Sequence, residues 1–455
     1  MGPTEYISEF IHDTTYASLP QKVVDTARTA ITDFIGVALA GAGEPINALL
    51  HEYARDVGGN EQATVIGSGY RTSAEMAAML NGAIGHALDF DDWSMAVHGH
   101  PSVFLVPPLM ALAEQYGFSG KDIITAYVVG YECVALIPFA VTLRHFDQGW
   151  HPTGTLGTFG ATAACCKLLG LSVEETNRAI GIGCSMAAGI RCNNGTMTKP
   201  LHAGNAAANG IKAAKLAKLG YTSAKNIIEI TRGFLYSFGY TGELDWDAIL
   251  APVGKKFQLI GNEGLNIKPY PCCGGNAFAI DAVKLLKKRH NFDLKDIKEI
   301  ELWVNTIAYL PLIYHNPKKG LEGKFSLEYN TARALVDGNV GLSDFTDERV
   351  NDPAVRALMS KMIWTVKYGD PGEGKADAFD PKGVLIRMND GTEYFEEVFI
   401  HMGMPQNPMP KDEFEKKFHD CASISLPKNK IAACYDMLSR FEELETVDGL
   451  INMLH

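Results

Sequence analysis

The chain has 455 residues and a formal net charge of −12, with 46% hydrophobic and 21% charged residues. This net negative charge, with both signs interspersed along the chain, argues against nucleic acid or an anionic membrane as a partner. No apolar run reaches the length of a spanning helix, and residues 1–5 lack the basic and apolar regions of a signal peptide, so we expect a soluble cytoplasmic protein. This length allows two or three domains, of which we expect two.

Helical periodicity extends from the N-terminus to about residue 265. Capping and turn residues predict four helix starts. These starts are Pro20, Thr72-Ser73-Ala74-Glu75, Gly120 and Ser172-Val173-Glu174-Glu175. The helix from Pro20 should end at Gly41 and Gly43. Another helix is predicted from Asn205 to Leu219, after a polar loop.

The stretch 85–101 places three carboxylates and three imidazoles at the end of the helix predicted from Thr72 through Leu88. These residues are His86, Asp89, Asp91, Asp92, His98 and His100. The C-terminal end of a helix disfavours negative charge, so such a placement costs stability and indicates a function. The carboxylates and imidazoles from Asp89 to His100 also suit a divalent metal, although the stretch has no recognised metal-binding spacing.

Polar residues elsewhere in the chain offer further chemistry. His151 comes just before a run of small residues, where a helix N-terminus would attract an anion. In the predicted loop 196–205, Pro200 should force Lys199 into an extended or turn conformation. Lys268 lies in a segment stiffened by two prolines at the predicted domain boundary. A structural histidine and surface lysines are the ordinary alternatives for these residues.

The pattern changes after residue 266. An amphipathic helix is predicted near Ala277 to Lys288, and alternation over Glu299–Val304 predicts a half-buried strand. Two apolar runs flank Asn389-Asp390-Gly391, which is a strong hairpin signal. Residues 411–418 and 431–444 return to helix, and periodicity does not decide whether they rejoin the first domain. Nine cysteines without a C-x-x-C spacing indicate reduced thiols with no disulfide or structural zinc.

Five segments, in this order, resemble motifs of the MmgE/PrpD family, and the resemblance covers nearly the whole chain. They are His86-Ala87-Leu88-Asp89-Phe90-Asp91-Asp92, His151-Pro152-Thr153-Gly154, Thr198-Lys199-Pro200-Leu201-His202-Ala203-Gly204-Asn205-Ala206-Ala207, Lys268-Pro269-Tyr270-Pro271-Cys272-Cys273 and Lys324-Phe325-Ser326-Leu327-Glu328-Tyr329. The resemblance implies a mostly α fold. It has a large helical domain (1–265 plus 403–455), an inserted α+β lid domain (266–402) and a homodimer.

The resemblance also implies a lyase that acts on a small di- or tricarboxylic acid without a cofactor or metal. The first expectation is dehydration of a 2-methylcitrate-like acid through proton abstraction next to a carboxylate. The alternatives within the family are decarboxylation of the cis-aconitate type and epimerisation of the iminodisuccinate type. Two other classes remain open, namely a metal-dependent hydrolase and a non-catalytic carboxylate-binding protein.

The residues that carry over as catalytic from the family's decarboxylase branch are Asp89, His100, His151, Lys199, Lys268 and Tyr329. The substrate-binding set is Lys199, Lys268, His151, His98 and His202. In this hypothesis the lysines hold carboxylates, His100 or His151 moves the proton, Asp89 orients an imidazole and Tyr329 donates a proton or a hydrogen bond. Asp91 and Asp92 receive only supporting roles.

The chain departs from the decarboxylase pattern in two places. Trp93-Ser94 stands where those members have a threonine after the aspartates, and the segment up to His100 is longer here. His98 is therefore a second candidate for the role given to His100. Cys272-Cys273 stands near the place where decarboxylase-like members carry a histidine.

Overall fold

The computed structural model describes residues 2–137, 144–240, 242–305, 310–368 and 382–455. Its residues form two compact units. The helical unit consists of Met1–Cys192, Met197–Ile267 and Pro410–His455, and the sheet unit consists of Asn193–Thr196 and Lys268–Met409. The predicted fold class is confirmed, since the chain is mostly helical with a smaller sheet-containing part.

Buried apolar faces hold the helices of the helical unit together. These helices are α1 (Pro3–Asp13), α2 (Gln21–Gly41), α3 (Pro45–Val57), α4 (Ala74–Ala87), α5 (Ser102–Tyr116), α6 (Gly120–Ala135), α7 (Pro152–Leu168), α8 (Val173–Cys184), α9 (Thr198–Lys218), α10 (Phe234–Ser237) and α11 (Trp246–Leu250). Two short antiparallel pairs join β1 (Ala63–Thr64) to β2 (Arg71–Thr72) and β3 (Trp93–Ser94) to β4 (Leu265–Asn266).

Three of the four helix starts lie where the sequence predicts them. The capping box at Ser172 is formed, since its hydroxyl accepts a hydrogen bond from the Glu175 amide. The start of α4 differs by one residue, because Ser73 and not Thr72 caps the helix by accepting from the Met76 amide at 3.3 Å. Side-chain caps satisfy amides that the first helical turn leaves without partners.

The prediction of a loop over residues 196–205 is wrong, because α9 already begins at Thr198. Pro200 lies in the first turn of this helix, where its missing N–H is not needed and its fixed φ is compatible with the helix. Lys199 is therefore helical rather than extended. This error matters for the site, since a helix terminus holds Lys199 and His202 more rigidly than a loop would.

The helices α4 and α9 approach each other closely through glycines. A Cβ on Gly204 would lie 2.2 Å from the carbonyl oxygen of Met79, and one on Gly82 would lie 2.9 Å from the Cα of Gly204. Only residues without a Cβ permit this backbone contact. The contact brings the element that ends near His86 against the element that begins near Lys199.

The sheet unit contains a four-stranded sheet packed against helices. Its helices are α12 (Ala277–Arg289), α13 (Gly320–Gly323), α14 (Leu327–Asp337), α15 (Asp347–Val350) and α16 (Pro353–Met359). Its strands are β5 (Ile297–Asn305), β6 (Met362–Tyr368), β7 (Lys382–Met388) and β8 (Glu393–Val398), in the order β6-β5-β7-β8. Strands β5 and β6 are parallel and the other pairs are antiparallel. The helix predicted near Ala277 to Lys288, the strand predicted over Glu299–Val304 and the hairpin predicted at Asn389-Asp390-Gly391 are confirmed.

The C-terminal segment adds α17 (Lys411–Ala422), α18 (Lys428–Ser439) and α19 (Asp448–Ile451) to the helical unit. None of the nine cysteines, all of which lie in the described part of the chain, forms a disulfide. Among the described helices, no single one is long and apolar enough to cross a membrane. Only α2 and α3 taken together, bent by 87° at the break between them, meet the test of length and composition.

Candidate active site

A buried ion pair joins two of the sequence-predicted residues. The chain leaves α4 after Ala87 and turns at Asp89, whose φ is +51°. The ammonium of Lys199 donates to Oδ1 of Asp89 at 2.5 Å, and the two residues are only 5% and 3% exposed. The negative charge of Asp89 near the C-terminus of α4 is therefore neutralised by a lysine from the first turn of α9.

Asp91 connects two imidazoles. Its carboxylate oxygens lie 3.0 Å from Nδ1 of His86, and Oδ2 lies 2.8 Å from Nδ1 of His100. Nδ1 of His100 also lies 2.9 Å from the backbone carbonyl oxygen of Asp92, which can only accept a hydrogen bond. Both imidazoles therefore carry their proton on Nδ1, and in the neutral rings Nε2 is the acceptor.

The two Nε2 atoms have different surroundings. Nε2 of His100 lies 3.8 Å from Oδ1 of Asp89. Nε2 of His86 is buried and has no hydrogen-bond partner among the residues that the structure describes. His86 is therefore a carboxylate-oriented imidazole whose Nε2 can accept a proton, an arrangement that general acid–base catalysis uses.

Four imidazoles stand next to one another in the order His100, His86, His151 and His202. The ring centroids are 4.5 Å apart for the first pair, 6.0 Å for the second and 5.2 Å for the third. Nδ1 of His151 and Nδ1 of His202 are 3.1 Å apart, so one ring donates and the other accepts. At least one of these two imidazoles is therefore neutral.

Two helix N-termini contribute to this cluster. His151 is the N-cap residue of α7, and Lys199 and His202 lie in the first turns of α9. Helix N-termini carry partial positive charge and unpaired amides, which favour bound anions. An ammonium, two helix termini and a row of imidazoles can hold a carboxylate and exchange a proton with the carbon beside it.

Burial keeps three imidazoles of this row neutral, those of His86, His151 and His202. It lowers the pKa of His86 to about 3 and that of His202 to about 4, and it lowers the pKa of His151 well below the ordinary value. The positive charge of Lys199 lowers all three pKa values further. The pKa of His98 is likewise lowered to about 3 by burial. Neutral rings are competent proton acceptors.

The adjacent carboxyls Asp91 and Asp92 have opposite pKa shifts. Burial opposes ionisation of Asp91, but His86 and His100 outweigh it and hold the pKa well below its ordinary value. Burial raises the pKa of Asp92 well above its ordinary value, although the Ser102 amide and hydroxyl donate to it. Asp91 is therefore the charged partner of the imidazoles, and Asp92 is a structural acid.

The buried imidazoles predict that stability falls in mild acid. The unfolded chain binds protons below pH about 6.5 that folded His86 and His202 exclude, so their contribution to stability is complete above that pH and is lost as the pH falls. Between pH 6.5 and 5, Asp92 and Glu132, whose pKa values burial raises, oppose this trend, but the imidazoles with lowered pKa values outnumber them. We therefore expect the melting temperature to fall as the pH falls, as measured by calorimetry. His202→Gln should make the melting temperature depend less on pH. A melting temperature that stays constant or increases as the pH falls would contradict the lowered histidine pKa values.

The donor types also fit a divalent cation. One ligand atom from each of His86, Asp89, Asp91 and His100 lies within 4.8 Å of the others. These include three of the residues that the sequence raised as a metal cluster and one, His86, that it did not. A cation bound there would compete with the Lys199 ammonium for Asp89.

Lys268 and Tyr329 belong to the sheet unit. Lys268 is 2% exposed. The hydroxyl of Tyr329 donates to the backbone carbonyl of Asp344, and burial raises its pKa to about 12. The roles that the sequence assigned to these two residues stay predictions.

Sequence reasoning missed the importance of His86 and Asp91. Both residues lie in the first of the five family motifs, yet the sequence assigns no role to His86 and only a supporting role to Asp91. Their spacing is a signal that could have found them, because the two residues are five positions apart across the predicted end of the helix. A chain that turns at this point can bring the Asp91 carboxylate back to the His86 imidazole.

Comparison with known proteins identifies relatives for the whole chain. The MmgE/PrpD N-terminal domain matches residues 5–247, and the MmgE/PrpD C-terminal domain matches residues 270–438. The mouse (Mus musculus) cis-aconitate decarboxylase is 29% identical over 466 residues, which cover 99% of this chain and 93% of that protein. The Aspergillus terreus cis-aconitate decarboxylase is 26% identical over 100% of this chain and 96% of its own length. A probable 2-methylcitrate dehydratase of Saccharomyces cerevisiae is 24% identical over 87% of this chain and 80% of its own length.

Proposed function

Because this chain belongs to the MmgE/PrpD family, we propose that it is a lyase acting on a di- or tricarboxylic acid, with proton transfer at a carbon next to a carboxylate. The observation that carries the proposal is the Lys199–Asp89 pair beside a row of imidazoles, three of which burial keeps neutral. Such a cluster offers both a carboxylate-binding cation and proton acceptors within one buried site.

In the proposed mechanism, Lys199 and the N-termini of α7 and α9 bind substrate carboxylates. Negative charge that develops on the substrate as an enolate is stabilised by the Lys199 ammonium. Nε2 of His100 accepts or returns the proton, and Asp91 holds the opposite ring nitrogen in its protonated form. Asp89, 3.8 Å from Nε2 of His100, stabilises the imidazolium that forms.

Two reactions are consistent with this site. In dehydration, an imidazole removes the proton next to a carboxylate, the C–O bond breaks, and the hydroxyl leaves as water after taking up a proton. In decarboxylation, a C–C bond breaks, CO₂ leaves its electron pair on the substrate, and an imidazolium supplies a proton. Dehydration of a 2-methylcitrate-like acid is the first proposal. Decarboxylation of cis-aconitate is the second, and the relatives that match nearly the whole chain support it.

Incubation in deuterated water, followed by NMR, separates these reactions. The protein is given 2-methylcitrate, cis-aconitate and iminodisuccinate, with Lys199→Met as the control. Loss of water identifies a dehydratase, and loss of CO₂ identifies a decarboxylase. Deuterium uptake with inversion identifies an epimerase. Saturable binding without product favours a non-catalytic carboxylate-binding protein. The absence of both binding and turnover would contradict the proposal.

Metal dependence is tested in the same assay. Elemental analysis of the purified protein and turnover in excess chelator address the cation-compatible cluster directly. Full activity in chelator supports acid–base chemistry by the side chains alone, whereas loss that Zn²⁺ or Mg²⁺ restores supports the metal-dependent alternative. A homodimer, a cytoplasmic location and the lack of nucleic-acid or membrane partners remain part of the proposal.

A further inference from the structure

Lys417 connects the C-terminal segment to the middle of the aspartate motif. This residue of α17 is 7% exposed. Its Nζ lies 2.7 Å from Oδ1 of Asp33 on α2 and donates to the carbonyl oxygen of Phe90 at 3.0 Å. The same ammonium lies 4.1 Å from the centroid of the Phe90 ring. A buried ammonium requires such partners, because an unpaired charge in the interior is costly.

Phe90 stands between the two aspartates of the site. Asp89 before it pairs with Lys199, and Asp91 after it connects His86 and His100. The φ of +51° at Asp89 is uncommon for a residue with a Cβ and persists only where the surroundings impose it. Lys417 contacts Phe90 through both the main chain and the ring, so it constrains the peptide on which both carboxylates depend.

The position of Lys417 is itself well determined. A Cβ on Gly36 of α2 would lie 2.9 Å from the ring of Phe418, so α17 packs directly on α2 at this point. This packing sets the register in which Lys417 reaches Asp33. The Lys417 ammonium therefore contacts Phe90 from a helix near the end of the chain, more than 300 residues after Phe90.

We propose that Lys417 is a positioning residue of the active site, which holds Phe90 so that Asp89 meets Lys199 and Asp91 meets its two imidazoles. The reaction that it serves rests on the proposed function. The competing explanation is charge balance, in which Lys417 only neutralises Asp33. The two explanations predict different activities for a variant that lacks both charges.

Four variants separate positioning from charge balance. Lys417→Met leaves Asp33 as a buried charge, whereas Asp33→Asn combined with Lys417→Met removes both charges. Lys417→Arg keeps a charged donor. Lys416→Met changes the adjacent lysine of α17, whose side chain is 76% exposed, and is the matched control.

The readouts are kcat, KM, the melting temperature and a crystal structure. A displaced catalytic carboxylate typically costs about 10²-fold in rate, so we expect such a loss of kcat in both Lys417→Met and the double variant, with little change in KM. The double variant should regain most of the melting temperature that Lys417→Met loses. Lys417→Arg should recover part of kcat, and Lys416→Met should match the unsubstituted protein.

The double variant decides the outcome. A kcat equal to that of the unsubstituted protein, with Asp89 still paired to Lys199 in the crystal, overturns the positioning role. A longer Lys199–Asp89 separation, or an Asp89 that has left the positive-φ region, supports it. The crystallographic comparison needs no substrate. If the unsubstituted protein converts no tricarboxylate, the proposed function fails while the role of Lys417 is still decided.

Discussion

Lys199→Met is expected to lower turnover by about 10³-fold, because the ammonium that stabilises developing negative charge is removed from a buried site. A direct effect on the transition state lowers kcat, and a lost carboxylate contact also raises KM. The substitution leaves Asp89 buried without its cation, which costs about 3–5 kcal/mol of stability. Steady-state kinetics and thermal unfolding measure the two effects separately.

A double variant separates catalysis from folding for Lys199. Asp89→Asn combined with Lys199→Met removes both charges and should regain stability without regaining activity. Lys212→Met is the matched control, since Lys212 is on the same helix with its side chain 47% exposed and 3.9 Å from Glu75. If Lys199→Met keeps near-normal turnover on the true substrate, the proposed mechanism is wrong.

Asp91→Asn is expected to lower kcat by about 10²–10⁴-fold, because it removes the negative charge that orients two imidazole N–H groups and replaces one acceptor oxygen by an NH₂ donor. Its NH₂ group would face Nδ1 of His86 or of His100 and would favour the tautomer protonated on Nε2. That ring then loses its proton-accepting atom in the site. The pH dependence of kcat, compared with that of the unsubstituted protein, reports the loss.

Asp92→Asn is the control for this substitution. Its carboxyl has a raised pKa, so an amide resembles the protonated group already present. The main-chain carbonyl that faces His100 is retained in the variant. We expect less than about a tenfold loss of kcat, in line with the loss of side-chain hydrogen bonds to Ser102 alone. Equal losses in both variants would contradict the separate roles of the two carboxyls.

Local patterns predict much of the fold. The capping residues at Ser172, the alternation in β5 and the Asn389-Asp390-Gly391 turn each act within a few residues, so the sequence reports them directly. The same logic fails at Pro200, where a proline that disfavours helix interiors is well tolerated in a first turn. A single residue type has different effects at different helix positions, and periodicity did not distinguish them.

The sequence by itself determined the fold class, the family resemblance and the residue types available for catalysis. Only the tertiary structure decided which of these residues meet. Lys199 and Asp89 are 110 positions apart, and Lys417 and Phe90 are 327 apart, so their pairing follows from helix packing and not from spacing. Burial then selects the protonation states, because the desolvation that keeps His86 neutral and Asp92 protonated exists only in the packed interior.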